Sequence, residues 1–304
     1  MRLSAQTNKE ARENYLKQIE YLKSLGHEIV FFGDEREKLD FDVSDIEGVI
    51  CNGLFVYNDI EQFRSLKYIQ LTSAGFDRVP MDYIKQHGIE IHNARGVYSV
   101  PMAEFALTGI LQLVKQSRFF YENQKQHIWE KSRTLGELAG KTAVIVGAGN
   151  IGSEVAKRLK AFDVTVVGID ITTDQRPYFD KIELLKNLDE QLKAADIVVL
   201  TLPLTDDTKG MFDKSKFDLM KNSCIFVNIA RGQLVVENDL IDALNNKKIS
   251  GAVLDVFETE PLEKTSPLWD MDNVIITPHN SFVGQNNKRM FDVIISNLEN
   301  YFNE

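Results

Sequence analysis

The chain has 304 residues, of which 43% are hydrophobic and 26% charged, and this balance is typical of folded globular proteins rather than disordered or fibrous ones. The length predicts about two domains. The formal net charge of −10 disfavours nucleic-acid binding, because affinity for a phosphate backbone comes from clustered Lys and Arg.

Signals for membranes, export or metals are also missing from the sequence. No apolar run reaches the roughly 18 residues that a membrane helix needs, and the first residues lack the apolar core of a secretory signal. Cys51 and Cys224 are the two cysteines, too few for a disulfide framework or a zinc site. We therefore expect a cytoplasmic protein with no bound metal and no membrane or nucleic-acid partner.

Residues 1–95 alternate between helical and strand patterns, which favours a parallel α/β sheet. A helix is predicted over residues 8–24, and Gly26 ends it. Its apolar positions recur at helical spacing and are Tyr15, Leu16, Ile19, Leu22 and Leu25. Strands are predicted in the segments MRLSAQ, HEIVFFG, IEGVICNG, LKYIQLTSAG and GIEIHNARG, of which the first is short and half polar.

One long helix is predicted over residues 101–129, with Pro101 in its first turn, where proline is tolerated. The apolar residues in this stretch exceed what one helix face can bury, and they are Phe105, Leu107, Ile110, Leu111, Leu113 and Val114. This excess favours a homodimer.

A second α/β unit is predicted from Lys141 onward. Its strands are predicted in TAVIV, DVTVVGID, ADIVVLTLPL, NSCIFVNIARG, ISGAVLDVF and NVIITPHNS, and a final helix is predicted over residues 284–302. Two α/β domains joined by a helix fit the length of the chain.

A glycine-rich turn follows the first strand of this unit. The segment GAGNIG matches G-x-G-x-x-G and stands between a β-branched strand and a helical stretch. Gly147 allows the tight turn, Gly149 lets a pyrophosphate approach the backbone, and Gly152 lets the helix pack on the strand. The pyrophosphate would bind at the helix N-terminus. The alternative is a turn whose glycines serve packing alone.

An acidic residue in the expected position favours the dinucleotide interpretation. Asp170 follows Gly152 by 18 residues and ends the second strand, where its carboxylate would bind the adenosine ribose and repel a 2′-phosphate. NAD is therefore favoured over NADP. Arg176 lies six residues further on and could still bind a phosphate, so NADP stays open.

Three polar residues follow predicted strands of the second unit. Arg231 comes after IFVNIA, Glu260 lies in ETEPL, and His279 comes after NVIITP. Ligands of parallel sheets bind beyond the carboxyl ends of strands, so the three could converge. Arg can hold a carboxylate through two parallel bonds, and His can exchange a proton near neutral pH. A neighbouring carboxylate would orient the imidazole and favour its charged form.

Each of these residues alone is more often a surface ion pair, a solvated carboxylate or a structural histidine. Their coincidence with a complete nucleotide fingerprint favours a catalytic set.

Longer motifs carry a family resemblance. VGAGNIG, LTLPLTDDTKGMFDKSKFDLMKNSCIFVNIARGQLVVENDLIDAL, LDVFETEPL, SPLW and NVIITPHNS occur in the second half, and LTSAGFDRV and NARGVYSVPMAEFAL in the first. The sequence resembles the D-isomer-specific 2-hydroxyacid dehydrogenases over nearly its whole length. The resemblance implies a Rossmann-type nucleotide domain, residues 96–280, inserted into a flavodoxin-like substrate domain formed by residues 1–95 and a returning C-terminal helix, residues 281–304.

The resemblance also implies an activity, which is NAD-dependent hydride transfer between nicotinamide and a small D-2-hydroxy or 2-oxo acid such as glyoxylate or hydroxypyruvate. Arg231 would hold the substrate carboxylate, with the main chain of Ala74 and Gly75, while His279 is the acid/base and Glu260 its partner. The implied cofactor contacts are Asn150 and Ile151 on the pyrophosphate, Asp170 on the ribose, Leu202, Pro203 and Thr208 beside the adenosine, and Ile229, Ala230 and Asp255 on the nicotinamide. A two-fold homodimer is implied as well.

One departure and several alternatives accompany this interpretation. Many family members have a small Ala-Gly pair after the histidine, whereas this chain has Asn280-Ser281-Phe282. An NAD(H)-sensing protein of the co-repressor type and a phosphite-type dehydrogenase share the fold and the three polar residues. Formate dehydrogenases have Gln in place of Glu260, which disfavours that activity. The substrate side chain would be selected by residues 50–54, 74–76, 98 and 282.

Overall fold

The computed structural model describes residues 1–6, 16–76, 78–284 and 287–303, and the chain divides into two compact α/β units. The first unit is Met1–Tyr98 with Gln285–Glu304, and the second is Ser99–Gly284. The second unit is thus inserted into the first along the chain. Among the helices described, none combines the length and the apolar character that crossing a bilayer requires.

The unit boundaries differ by a few residues from the predicted ones at 95/96 and 280/281. Residues 96–98 stay with the first unit, because the Tyr98 hydroxyl donates to the carbonyl of Thr72 and Arg289 Nε donates to that of Val97. Residues 281–284 stay with the second, because the Ser281 amide donates to Asp255 Oδ2 at 3.0 Å.

The first unit contains a five-stranded parallel sheet in the order β2-β1-β3-β4-β5, the flavodoxin-like order. The strands are β1 (Arg2–Gln6), β2 (Glu28–Phe32), β3 (Gly48–Cys51), β4 (Tyr68–Leu71) and β5 (Glu90–His92). The helices are α1 (Leu16–Ser24), α2 (Leu54–Tyr57), α3 (Met81–Gln86) and the C-terminal α10 (Asn287–Asn303). All five predicted strands are confirmed, and β1, despite its polar sequence, pairs with a strand on each side.

The predicted first helix is confirmed from Leu16 to Ser24, while residues 8–15, with Tyr15, lie outside the described residues. Gly26 follows it with a φ of +84°, a conformation that glycine adopts without strain. Leu25, one of the apolar positions at helical spacing, is exposed, because it lies beyond the last helical turn. The predicted final helix is confirmed as α10, which packs through Ile294 and Leu298 in one hydrophobic cluster with Leu22 of α1.

The second unit contains a seven-stranded parallel sheet in the order β12-β11-β10-β9-β6-β7-β8. The strands are β6 (Thr142–Val146), β7 (Thr165–Asp170), β8 (Lys181–Leu184), β9 (Ile197–Leu200), β10 (Ile225–Asn228), β11 (Gly251–Leu254) and β12 (Val274–Ile276). The helices are α4 (Ser99–Val114), α5 (Ser117–Lys125), α6 (Asn150–Lys160), α7 (Leu188–Ala194), α8 (Lys214–Leu219) and α9 (Glu237–Asn245). The strand order reverses between β6 and β9, the place where doubly wound sheets bind ligands.

The prediction of one long helix over residues 101–129 is wrong. The helix begins at Ser99, ends at Val114, and is followed by the separate helix α5. Gln116 interrupts it with a left-handed φ of 51°, and its side chain is bonded to Ser132 and Thr134. The apolar periodicity of the sequence continues across this break, so the local hydrophobic pattern did not predict it. β8 was not predicted, because its sequence KIEL is short and half polar at a sheet edge.

Candidate active site

The glycine-rich turn between β6 and α6 has the three properties expected of it. A Cβ on Gly147, whose φ is +101°, would lie 2.7 Å from the Leu202 nitrogen, and a Cβ on Gly152 would lie 2.1 Å from the Gly147 oxygen. A Cβ on Gly149 would meet nothing within 4 Å. Gly147 and Gly152 therefore permit close backbone packing, and Gly149 leaves open space at the start of α6.

The start of α6 can hold an anion. Asn150 and Ile151 are its first residues, so their amides lie in the turn where a helix has no internal acceptors. The helix dipole adds partial positive charge at the same end. This open, donor-rich turn fits the pyrophosphate of a dinucleotide.

The carboxylate of Asp170 lies at the end of β7, beside the glycine-rich turn. Its Oδ2 accepts the Ala148 amide at 2.9 Å, and its Oδ1 accepts the Ile171 amide at 2.7 Å. Arg176 donates from Nη1 to Asp170 Oδ2 at 3.1 Å and to the Ala148 carbonyl. The carboxylate expected to bind the ribose is therefore already paired with a guanidinium.

The segment after β9 forms the turn expected beside the adenosine. Leu202 is buried in the core, and Pro203 is exposed. Thr208 closes the turn, since its hydroxyl donates to the Pro203 carbonyl at 2.9 Å and accepts the Thr205 amide at 2.8 Å. That Leu202, Pro203 and Thr208 contact a cofactor stays a prediction.

Arg231 is positioned by a buried asparagine at the end of β10. Asn228 Oδ1 accepts the Ala230 amide at 3.1 Å, and its Nδ2 donates to the Arg231 carbonyl at 2.9 Å. Ile229 and Ala230 are buried, and the arginine side chain donates to the Ala230 carbonyl at 2.7 Å. The sequence interpretation missed Asn228, although a polar residue ending an apolar strand was a usable signal.

His279 and Glu260 are brought together. His279 Nδ1 lies 2.8 Å from Glu260 Oε2, while Glu260 Oε1 accepts the Phe257 amide at 3.1 Å. A carboxylate only accepts hydrogen bonds, so Nδ1 carries the proton and Nε2 is the nitrogen left for chemistry. Within the described part of the chain no protein group bonds Nε2. The two side chains are 40% and 36% exposed, so a substrate can reach them.

Asp255 anchors the segment that carries the histidine. Its carboxylate is fully buried and accepts from the Thr277 hydroxyl and the Asn280 amide, both at 2.7 Å, and from the Ser281 amide at 3.0 Å. Its carbonyl accepts the His279 amide at 2.8 Å. His279 has a φ of 51°, a costly conformation that these bonds support. The contact with the nicotinamide implied for Asp255 stays a prediction.

The segments that carry Arg231 and Glu260 touch through backbone and side-chain contacts. A Cβ on Gly232 would lie 1.8 Å from the Phe257 carbonyl oxygen, so only glycine allows this approach. Gln233 Nε2 donates to the Glu258 carbonyl, and Glu237 Oε2 accepts the Glu258 amide, each at 3.2 Å. Burial raises the pKa of Glu237. The sequence interpretation missed these contacts, which join residues distant along the chain.

Ala74 and Gly75 belong to the first unit, in the loop after β4. The Ala74 carbonyl accepts from Asn93 Nδ2 at 2.6 Å, and the Gly75 carbonyl accepts from the Ser73 hydroxyl at 3.0 Å. The Ala94 amide donates to the Ser73 carbonyl at 2.8 Å. The loop is thus held by residues that follow β5, and Asn93 was not singled out from sequence. The carboxylate contact of Ala74 and Gly75 stays a prediction.

Comparison with known proteins decides the family. Residues 107–281 match the NAD binding domain of the D-isomer specific 2-hydroxyacid dehydrogenases. The chain belongs to this family. The matched range contains the glycine-rich turn, Asp170, Arg231, Glu260 and His279, whereas Ala74 and Gly75 lie outside it.

Relatives of this dehydrogenase family differ in the substrates they are named for. The chain is 34% identical to a D-3-phosphoglycerate dehydrogenase of Methanocaldococcus jannaschii over 86% of this chain and 50% of that protein, so it spans about half that relative's length. It is 32% identical to a glyoxylate reductase of Thermofilum pendens over 83% of this chain and 77% of that protein. A crystal structure of a family protein from Aeromonas salmonicida, 28% identical, superposes with a TM-score of 0.83 over 99% of this chain and 96% of that one.

Proposed function

We propose that this protein is an NAD-dependent oxidoreductase that interconverts a small D-2-hydroxy acid and the corresponding 2-oxo acid. The observation that carries the proposal is the 2.8 Å contact between His279 Nδ1 and Glu260 Oε2, at the same sheet edge as the dinucleotide turn. A relative named glyoxylate reductase supports the substrate class. The first unit is then the substrate domain, and Ala74 and Gly75 contribute main-chain donors for the substrate carboxylate.

The chemistry of the proposed reaction divides among three side chains. Bound NADH supplies the hydride. Arg231 binds the carboxylate of the 2-oxo acid through parallel N–H···O bonds and polarises the C2 carbonyl. His279 donates its Nε2 proton to the oxygen of that carbonyl, so hydride and proton add across the C=O bond. Glu260 accepts from Nδ1, which holds the orientation of the ring.

A substrate panel with both nicotinamide cofactors tests this function. Glyoxylate, hydroxypyruvate, pyruvate and bulkier 2-oxo acids are each supplied with NADH, and oxidation of NADH is followed by absorbance. The wild type should reduce at least one of them, and His279→Ala should lose turnover while still binding NADH. His87→Ala is the matched control, because His87 is exposed and its ring contacts a neighbour on its own helix end, bonding the Tyr83 carbonyl and stacking on the Tyr83 ring. A wild type that binds NADH but reduces none of the acids would favour the sensing alternative.

A homodimer is part of the proposal and is supported by an exposed apolar segment. Trp129 is 96% exposed, and four neighbours in sequence are also large, apolar and exposed, namely Phe120, Tyr121, Ile128 and Leu135. Large exposed apolar patches mark interaction surfaces. Sedimentation at micromolar concentration should give a dimer, and Trp129→Glu should give a monomer. Trp269→Glu is the control, since Trp269 lies elsewhere in the same unit. A monomeric wild type would contradict this assembly.

A further inference from the structure

We propose that buried Glu35 is a positioning residue for substrate selection, which holds Asn52 so that the Asn52 side-chain amide binds an oxygen on C3 of the 2-oxo acid. The substrate class is then a 2-oxo acid with a polar C3 substituent, such as hydroxypyruvate, rather than one with a methyl group, such as pyruvate. This inference rests on the proposed dehydrogenase function. The juxtaposition that carries it is a buried carboxylate bonded to the main chain of an asparagine whose side-chain oxygen is buried without a donor.

Glu35 follows β2 and anchors the main chain that follows β3. Its side chain is 7% exposed, its Oε2 accepts the Asn52 amide at 2.9 Å, and its Oε1 accepts the Gly53 amide at 2.8 Å. Hydrogen bonds to a charged group are about twice as strong as those between neutral groups. A buried carboxylate without such bonds is costly. Glu35 therefore holds the peptide between Asn52 and Gly53 in one orientation.

Asn58, which is also buried, joins the same two segments at a second place. Its Nδ2 donates to the Glu37 carbonyl at 3.0 Å, and its Oδ1 accepts the Leu39 amide at 3.1 Å. The Asn58 amide donates to the Leu54 carbonyl at 2.9 Å, which closes the end of α2. The main chain on both sides of α2 is thus fixed before a ligand binds, which limits the entropy that binding costs.

Asn52 lies at the edge of the first sheet where a ligand is expected. The strand order reverses between β1 and β3, and ligands of such sheets bind beyond the strand ends at this point. Cys51 ends β3, and its carbonyl accepts the Thr72 amide, just after β4, at 2.8 Å. Ala74 and Gly75, the proposed donors for the substrate carboxylate, follow Thr72 closely. Neighbouring strands lie about 5 Å apart, a distance that the C3 substituent of a bound acid can span.

The side-chain amide of Asn52 has hydrogen-bonding capacity left over. Among the described residues its buried Oδ1 has no donor, and its Nδ2, which is not buried, has no acceptor. Buried polar groups are nearly always hydrogen-bonded, and an exception requires a reason such as a functional role. Asn52 is half-buried, so a small ligand can reach Nδ2. Nδ2 can donate to a hydroxyl oxygen on C3, whereas a methyl group offers no acceptor.

Steady-state kinetics with two matched substrates tests this inference, because hydroxypyruvate is pyruvate with a hydroxyl on C3. The value of kcat/KM is measured for both acids with NADH. The wild type should favour hydroxypyruvate about fivefold or more. Asn52→Ala should lower kcat/KM for hydroxypyruvate about fivefold to tenfold and that for pyruvate by less than about twofold. Asn300→Ala, in an exposed position on α10 of the same unit, is the control and should change neither value.

Glu35→Gln tests the anchoring role separately. Glutamine has one acceptor oxygen for two amides and turns an N–H towards one of them, so the preference for hydroxypyruvate should fall as in Asn52→Ala. Backbone hydrogen exchange, measured without substrate, should become faster at Gly53 in Glu35→Gln but not in Asn52→Ala. Glu37→Gln removes an exposed carboxylate two residues away and should change neither measurement.

The possible results separate this inference from the dehydrogenase function. A wild type that does not favour hydroxypyruvate, or Asn52→Ala with equal losses for both acids or none, would overturn the role of Asn52 and leave the dehydrogenase proposal intact. Unchanged exchange at Gly53 in Glu35→Gln would overturn the anchoring role of Glu35. A wild type that reduces no 2-oxo acid at all would overturn both proposals.

Discussion

Replacement of Gly232 by alanine should separate the two segments that carry Arg231 and Glu260. A Cβ at position 232 would lie 1.8 Å from the Phe257 carbonyl oxygen and 2.6 Å from the Glu258 nitrogen. Both neighbours are backbone atoms, so no side-chain rotation can relieve the contact. The Phe257 oxygen must move by about 1.2 Å to reach the 3.0 Å that real Cβ contacts respect.

A displacement of this size has consequences for both stability and rate. Insertion of one methyl into a close-packed contact costs about 1–3 kcal/mol. A misplacement of about 1 Å between catalytic groups can reduce rate about a hundredfold. We therefore expect Gly232→Ala to lower kcat/KM for the 2-oxo acid about a hundredfold and to lower the free energy of unfolding in urea. The Kd of NADH should change little, because the substitution leaves the glycine-rich turn intact.

Steady-state kinetics, urea unfolding and NADH titration on the same preparation test this expectation. Gly136→Ala is the control, because a Cβ there would make only an ordinary contact, 3.4 Å from Val114 Cγ1. It should retain wild-type values in all three measurements. If Gly232→Ala kept kcat/KM within about threefold of wild type, catalysis would not depend on the close contact between Gly232 and the Phe257 carbonyl.

Substitutions of Glu260, Arg231 and His27 test three further contacts. Glu260→Gln should lower kcat/KM for reduction, because a neutral amide holds the His279 Nδ1–H less strongly than a carboxylate and positions the ring less well; wild-type steady-state kinetics would show that the pair is not coupled. Arg231→Lys should raise KM and lower kcat together, since one ammonium cannot form two parallel bonds, and near-normal steady-state kinetics would contradict the bidentate role. Burial, with the N-terminal charge as a smaller cause, lowers the pKa of His27, which stacks on Phe302 at 4.5 Å. Neutral His27 is thus favoured in the folded state, so the free energy of unfolding should fall as pH drops below about 6.5. His27→Gln should show less of this loss in urea titrations at pH 5 and pH 8.

Local sequence was enough for the features that depend on neighbouring residues. The glycine-rich turn was predicted residue by residue, because a tight turn before a helix that must pack against a strand restricts which positions can carry a Cβ. Most of the strands were predicted, because buried parallel strands are continuous apolar runs, whereas the short and half-polar β8 was not. Arg231, Glu260 and His279 each follow such a strand in the sequence. Because the carboxyl ends of parallel strands share one edge, the three were expected to converge, and the structure joins His279 to Glu260.

Tertiary structure alone decided the features that join distant parts of the chain. Gln116 breaks the long helix in a left-handed conformation, although the apolar pattern runs through it. The pairing of Asp170 with Arg176 depends on how the buried Phe179 anchors the segment between β7 and β8. The approach of Gly232 to the Phe257 carbonyl depends on how two strand ends meet. Such contacts have no local periodicity, because their energy arises between groups that only the folded chain brings within bonding distance.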